Sequence, residues 1–326
     1  MGYKHLSIDE RETILKMISQ GNSYRQIGDY IGRSAGTISR ELSRNTSSTG
    51  EYKPHLAQRY YDKRRDTSKE AYRIEQDKFI RKYIKQRLKR YWSPEQISGR
   101  IAFKKGIIIS PLTIYSWIYI DQLQGGEFYK YLRQSHRRRR KRKKGKDNRG
   151  QIPDRTMIDQ RPAAANARKR IGDWEGDTVE GRKGSGFIGT YVDRKARFLD
   201  AIKIEDKSAT KLTVATISSM GKLPSDKVRT ITFDNGREFA DFKTMEQQLG
   251  MKSYFARPYH SWERGTNENT NGLLRQFFPK GMDFSKVSQK DLDKVVKLLN
   301  NRPRKCLNYR SPAEVFWKKP NCCASD

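Results

Sequence analysis

The sequence predicts a multidomain chain: amino-terminal all-α helix-turn-helix domains followed by an α/β domain whose mixed five-stranded sheet is flanked by helices. Three observations predict it. Short helical patterns, each with its own start signal, fill residues 7–45. After about residue 170 the pattern changes to short strands that later alternate with helices. The balance of 69 Lys+Arg against 37 Asp+Glu, a formal +32, is too large for ordinary solubility and asks for a polyanionic partner. Nucleic acid is the default candidate. An anionic membrane surface would call for a basic amphipathic helix with a bulky apolar face, and none is evident.

The amino-terminal helices are justified locally. Ser7 with Glu10 and Ser23 with Gln26 read as capping boxes, Ser34 as a third N-cap, and Gly21 and Gly32 fall where helices should end. The pairs Ile14/Ile18, Ile27/Ile31 and Ile38/Leu42 are spaced i,i+4, which gives each helix one apolar stripe. Three helices with short turns make helix-turn-helix geometry, expected over residues 1–50. On the third helix Thr37, Arg40 and Arg44 project opposite the stripe, where they can reach base edges and phosphates in a major groove. The alternative is a solvated face on an ordinary trihelical core.

Residues 51–133 repeat the theme as an expected second helical DNA-binding domain. "SPEQISGRI" offers Ser93 as N-cap, Pro94 at the first helical position and Gln96 to complete a capping box; "SPLTIYSWIY" restarts at Ser110-Pro111. The connection "AFKKGIII" is long for a strict helix-turn-helix and the second helix carries little charge, so a plain helical spacer is the competing reading. A basic linker is expected over 134–168. Its core is eight consecutive basic residues, 137–144, beginning Arg137, Arg138, Arg139, Arg140; such a run cannot pack on itself and reads as a disordered linker or a phosphate-tracking arm.

In the following domain "GDWEGDTVE", "FIGTYVDR" and "FLDAIKI" are strand-like, a helix is expected around 208–220 and another around 238–249, and "KSYFARPY" is a further strand. Between the helices, "RTITFDNGREFADF" alternates Thr230, Thr232 and Asp234 with Ile231 and Phe233 and stops at Asn235-Gly236. Asn-Gly after a strand is a hairpin signal. It competes with a strand that ends in order to present its carboxylate.

Three acidic positions stand out. Alternation puts Asp173, Glu175 and Asp177 on one strand face, which is costly unless a cation offsets the repulsion or the face is solvated. Asp234 is the second position. The third lies in "SWERGTNENTNGLLRQFFPKG", where Gly265, Asn267, Asn269, Asn271 and Gly272 read as a loop. If the segment is helical instead, Glu268 and Arg275 share a face opposite Leu273, Leu274 and Phe277. Conflict between local preference and pattern marks a functional site. Carboxylates from separate segments suit two divalent ions that assist attack and departure at a phosphodiester, and magnesium prefers such oxygen ligands.

The stretches "GDWEGDT", "TFDNGREF", "PYHSWERGTNENTNGLLRQFFPKG" and "NNRPRKCLNYRSPAEVF" closely resemble the bacterial DDE transposases of the insertion sequence thirty family, relatives of retroviral integrases. "LSIDERETI" and "IGRSAGTISREL" extend the resemblance over nearly the whole chain, and the 33 residues between Asp234 and Glu268 match the family's spacing. The resemblance implies an RNase H-like catalytic domain over 169–285, followed by a C-terminal helical tail over 286–326. It implies that Asp177, Asp234 and Glu268 are catalytic and hold the metal, two Mg2+ ions for which Mn2+ can substitute. Arg275 matches a basic residue that related enzymes often carry seven positions beyond the Glu, and is expected to touch DNA. Asp193, Glu175 and Glu263 are neighbours without that role. His260 could shuttle protons or only pack, and Tyr259 and Trp262 could stack on an unpaired base or belong to the core.

The implied activity is transposition: binding the terminal inverted repeats of the chain's own element in double-stranded DNA, water-driven cleavage at the 3′ end, and attack of the freed hydroxyl on target DNA. A homodimer or larger assembly on DNA and a circular intermediate come with the resemblance. Two other classes share parts of this reading. A non-catalytic DNA-binding regulator has no reason to keep the carboxylates, and a ribonuclease H-type nuclease has no need of the amino-terminal reader. Three cysteines without paired or zinc-binding spacing, no apolar leader and no run long enough to cross a bilayer give the expectation of a soluble, nucleoid-associated protein of a reducing bacterial cytoplasm, with no membrane partner.

Overall fold

The computed structural model describes residues 5–47, 50–68, 74–133, 152–258 and 260–317. The basic run with Arg137, Arg138, Arg139 and Arg140 lies outside the described residues, as do Tyr259, Cys322 and Cys323. Two compact units divide the chain, Met1–Arg81 and Lys82–Asp326.

The first unit begins with α1 (Ile8–Ser19), α2 (Tyr24–Ile31) and α3 (Ala35–Asn45). The capping boxes at Ser7 and Ser23 are formed on both sides, and Gly32 ends α2 in the left-handed conformation at φ 68°. Ser34 does flank α3, but its hydroxyl meets Thr37 Oγ1 at 3.0 Å and makes no bond to a backbone N–H of α3. Ile14, Ile27 and Ile38 are fully buried, each contributing roughly 1.5–3 kcal/mol by leaving water. The unit does not stop at residue 50. Tyr52, and Ala57 of α4 (Pro54–Ser68), close the same core, because a three-helix layer alone leaves the inner faces of α1 and α3 uncovered. A buried ion pair, Arg11 Nε to Glu41 Oε1 at 2.7 Å, ties α1 to α3, and Tyr52 Oη donates to the same carboxylate oxygen at 3.2 Å.

The second unit carries the sheet. Its strands are β1 (Asp173–Glu180), β2 (Phe187–Asp193), β3 (Leu199–Ile204), β4 (Thr230–Phe233) and β5 (Lys252–Phe255), in the order β3-β2-β1-β4-β5. The first three form an antiparallel meander, and β4 and β5 run parallel to β1. Alternation sends Trp174, Tyr191, Ile202 and Phe233 to one face, where they pack with Leu212 of a helix over Ala209–Met220 and Met245 of a helix over Phe242–Leu249. Val179, Ile188, Val192 and Leu199 face the other side and pack with Leu273, Leu274, Leu292 and Leu299.

Asn235-Gly236 does not make a hairpin. Neither residue takes a positive φ, as the two-residue hairpin turn on Asn-Gly requires, and β5 lies parallel to β4, which only a crossover connection allows.

Both sheet edges are covered. At the β5 edge, Phe255 N donates to Thr156 O at 2.8 Å and Ile152 enters the core, so residues 152–168 are built into the unit and are not linker. At the β3 edge, the Asn300 amide exchanges two hydrogen bonds, both 2.8 Å, with the backbone of Leu199. Phe316 is fully buried and stacks on Phe198 at 4.3 Å beside Trp174. The segment expected as a tail therefore contributes to the core as far as Phe316. The helices that start at Pro94 and Pro111 belong to this unit too: Arg100 pairs with Glu314, and a side chain at Gly99 would strike the Tyr309 ring at 2.2 Å.

Candidate active site

The parallel register pairs Glu175 with Thr232 and, continued two residues on, aligns Asp177 with Asp234. β4 ends at Phe233, so Asp234 sits just beyond the ladder, and its Oδ1 accepts the Gly236 N–H at 2.8 Å. Asp177 is held from two sides: Thr178 N donates to Oδ1 at 2.9 Å, and Asn271 Nδ2 donates to Oδ2 at 3.0 Å. One guanidinium bridges the pair. Arg264 Nη1 lies 3.6 Å from Asp177 and Nη2 lies 3.3 Å from Asp234, while Nη1 also donates to Gly176 O at 3.2 Å. Arg264 Nε is buried and has no hydrogen-bond partner. Burial pushes the Asp177 carboxyl above its ordinary range; Arg264 opposes this and Asp234 adds to it.

Glu268 stands in the first turn of the helix Gly265–Leu274, whose existence overrides the loop propensity of its asparagines. Tertiary bonds explain why those asparagines sit in a helix. Asn267 Nδ2 donates to Glu175 O at 2.8 Å and Thr190 O at 3.1 Å, and Asn267 N donates to Glu175 Oε2 at 2.9 Å. Glu268 is exposed, and among the described residues no group of three His, Cys, Asp or Glu is close enough to hold a metal ion. The structure thus brings Asp177 and Asp234 together and leaves Glu268 apart from them. Glu268 and Asn271 are nonetheless one helical turn apart on one flank, and Asn271 touches Asp177.

The neighbouring acids are occupied otherwise. Glu175 is fully buried against Arg194 at 2.6 Å. Asp193 accepts backbone N–H groups from Gly172, Lys195 and Ala196, and burial still pushes its carboxyl up to about 6. Glu263 accepts the Arg257 N–H at 2.8 Å. Arg275 falls at the C-cap, where Nη2 donates to Glu180 O at 2.8 Å. His260 packs on Trp262 at 4.5 Å with Nδ1 2.8 Å from Pro258 O, and Trp262 is exposed. In the first unit Arg40 and Arg44 are exposed on α3, and Arg40 Nε donates to Gly36 O at 2.9 Å.

Residues 2–45 match the family described as Helix-turn-helix domain, and residues 167–261 the family described as Integrase core domain. The chain is 41% identical to the transposase for insertion sequence element IS4351 of Bacteroides fragilis, covering 96% of this chain and 95% of that protein. It is 36% identical to the transposase for IS1086 of Cupriavidus metallidurans (96% and 94% covered) and to the transposase InsI for IS30A of Escherichia coli K12 (96% and 83%). The chain belongs to the insertion sequence thirty family of transposases.

Sequence reading of this transposase missed Arg264, Arg194 and Asn267. An arginine four residues before a proposed ligand carries no spacing signal, and only tertiary geometry shows what it touches. The integrase core family generally uses divalent metal ions. The carboxylates of Asp177 and Asp234 fit such an ion: they are hard oxygen donors that already share one cation, the guanidinium of Arg264. Among the described residues no helix is long and apolar enough to cross a membrane.

Proposed function

We propose that this transposase reads the terminal inverted repeats of its own element with the amino-terminal helical unit, and that Asp177, Asp234 and Glu268 carry strand cleavage and strand transfer. One observation supports this above the others: two carboxylates from adjacent parallel strands meet around a single cation at the end of the sheet. Two Mg2+ ions, or Mn2+ in their place, would be held by Asp177 and Asp234 with Glu268; when bound they would polarise the phosphodiester and neutralise developing charge on the attacking and departing oxygens. The protein's own contribution is positional. β1 and β4 fix the two aspartates in register, Asn271 orients the Asp177 carboxylate, and Asn267 locks the helix that presents Glu268 onto β1 and β2. Arg264 holds the two aspartates together until DNA and cation arrive. Glu268 joins them by turning its exposed side chain along the flank it shares with Asn271.

Cleavage releases a 3′-hydroxyl, and transfer joins it to a second phosphodiester with loss of an alkoxide, so the same site serves both displacements without a covalent enzyme intermediate. Two ends must be joined in one event, which calls for at least a homodimer on double-stranded DNA. The test uses duplexes carrying the element's ends with Mg2+. The native protein cleaves and joins them, whereas Asp234→Ala binds the ends equally well and loses both reactions by at least about 1,000-fold, the scale of about 4 kcal/mol of transition-state stabilisation. A fully active Asp234→Ala protein would remove this assignment, and a native protein that binds the ends without cutting them would favour a regulator.

A further inference from the structure

On the far side of the helix Gly265–Leu274 from the strand carboxylates' partner Asn271, a pocket of about 190 Å3 is lined by Arg168, Arg197, Gly265, Thr266, Asn269, Thr270, Arg304 and Cys306. Three of its eight lining residues are arginines and none is acidic. Their few internal bonds do not saturate them. Arg197 Nη1 donates to Thr266 Oγ1 at 2.6 Å, and Arg168 Nη2 reaches the same oxygen at 3.5 Å. Arg304 Nη2 donates to Leu299 O at 3.3 Å, while its Nε is buried with no hydrogen-bond partner. Arg302 beside it is 3% exposed, and its Nε is likewise buried and unpartnered.

The electrostatics are unfavourable as they stand. Burial holds the Arg304 guanidinium down at about 10; Cys306 opposes this, and Arg133 and Arg197 add to it. Arg302 is pushed to about 9 by burial, with Arg304 and Arg133 adding to the effect. Both remain cationic at neutral pH. Like charges drawn together and partly desolvated cost free energy that an incoming anion returns. Two of the lining arginines also sit in the left-handed backbone region, Arg168 at φ 53° and Arg197 at φ 60°, a conformation that costs a non-glycine residue free energy and recurs at ligand-binding positions. The helix N-terminus at Gly265 and Thr266 adds its positive dipole end to the same wall.

We propose that this pocket is a phosphate-binding site that seats one phosphate of the DNA backbone. The choice of DNA as the source rests on the reading of the protein given above; the pocket's preference for a phosphate does not. Arg304 and Arg197 clamp the non-bridging oxygens, Thr266 and Asn269 supply neutral hydrogen bonds, and the seated phosphate fixes the strand beside Glu268, which is adjacent in sequence to Asn269.

The test uses the full chain and two probes, inorganic phosphate and a labelled duplex bearing the element's ends. Arg168→Gln/Arg197→Gln is the disabling variant, and Arg304→Lys keeps the charge while removing the forked donor. Inorganic phosphate, at ionic strength matched with chloride, raises the thermal midpoint of the native protein and not that of the double variant. The double variant's logarithmic salt dependence of duplex binding becomes shallower by about 0.9, the share of one neutralised phosphate, and Arg304→Lys retains most of the native slope. Loss of phosphate stabilisation with an unchanged slope overturns the DNA source and leaves a site for free phosphate. No phosphate stabilisation of the native protein together with an unchanged slope overturns the site. Asp234→Ala, run alongside, separates the two readings: it keeps the native slope when it fails to cleave, and an active Asp234→Ala protein sinks the catalytic assignment whatever the pocket does.

Discussion

At the scale of single residues, Arg264 decides the state of the two aspartates. Its guanidinium supplies the positive charge that lets Asp177 and Asp234 stand together, and a divalent ion between them has to displace it. Arg264→Gln should therefore bind Mn2+ more tightly than the native protein in the absence of DNA, by about tenfold if the displaced interactions amount to about 1.4 kcal/mol, and should be less stable than the native protein in chelator. Titration calorimetry with Mn2+ alone checks the first point and thermal melts in chelator the second. Equal Mn2+ affinities would show that the guanidinium does not compete for the pair. Asp193 illustrates the opposite case, a strand-end carboxylate with three backbone donors that has a structural post.

At the scale of elements, the site depends on ties between segments. Arg194, in the turn after β2, pairs with the buried Glu175 of β1 and donates to Ala165 O at 3.2 Å and Glu263 O at 3.5 Å. Arg194→Ala strands a carboxylate that is fully buried, so it should cost about 3–5 kcal/mol; urea unfolding that shows less than about 1 kcal/mol of destabilisation would contradict the role. Much of the architecture was legible because it is local or periodic. Capping boxes mark α1 and α2, and alternation marks β1. The pairing of Asp177 with Asp234 was half-legible, since one lies on a readable strand and the other directly follows one, but their register is a matter of sheet topology. What stayed hidden depends on partners distant in sequence: the Arg100–Glu314 pair spans 214 positions, and the Asn267 bonds to β1 and β2 turn apparent loop formers into the residues that hold a helix in place. The boundaries expected at 50, 168 and 285 failed for the same reason, because covering a core or a sheet edge recruits segments that carry no motif.

At the scale of the whole molecule, the formal +32 includes the exposed arginines of α3, the basic run and the arginine-lined pocket, and the proposed function divides specificity from attraction among them. Arg40→Ala should weaken binding to the element's ends more than to random duplex, by about 1–3 kcal/mol, whereas neutralising four residues of 137–144 should weaken both alike and flatten the salt dependence. Anisotropy titrations on the two duplexes over a salt series distinguish these, and equal weakening on both duplexes for Arg40→Ala would remove base readout from α3. The placement of Phe316 against Phe198 and Trp174 carries one more consequence. Because domains fold as they leave the ribosome, beginning from the amino terminus, the helical reader is complete once residue 81 has emerged. The sheet cannot seal its aromatic interior until more than 200 further residues have been translated. A nascent chain can thus grip DNA well before it is able to cut it.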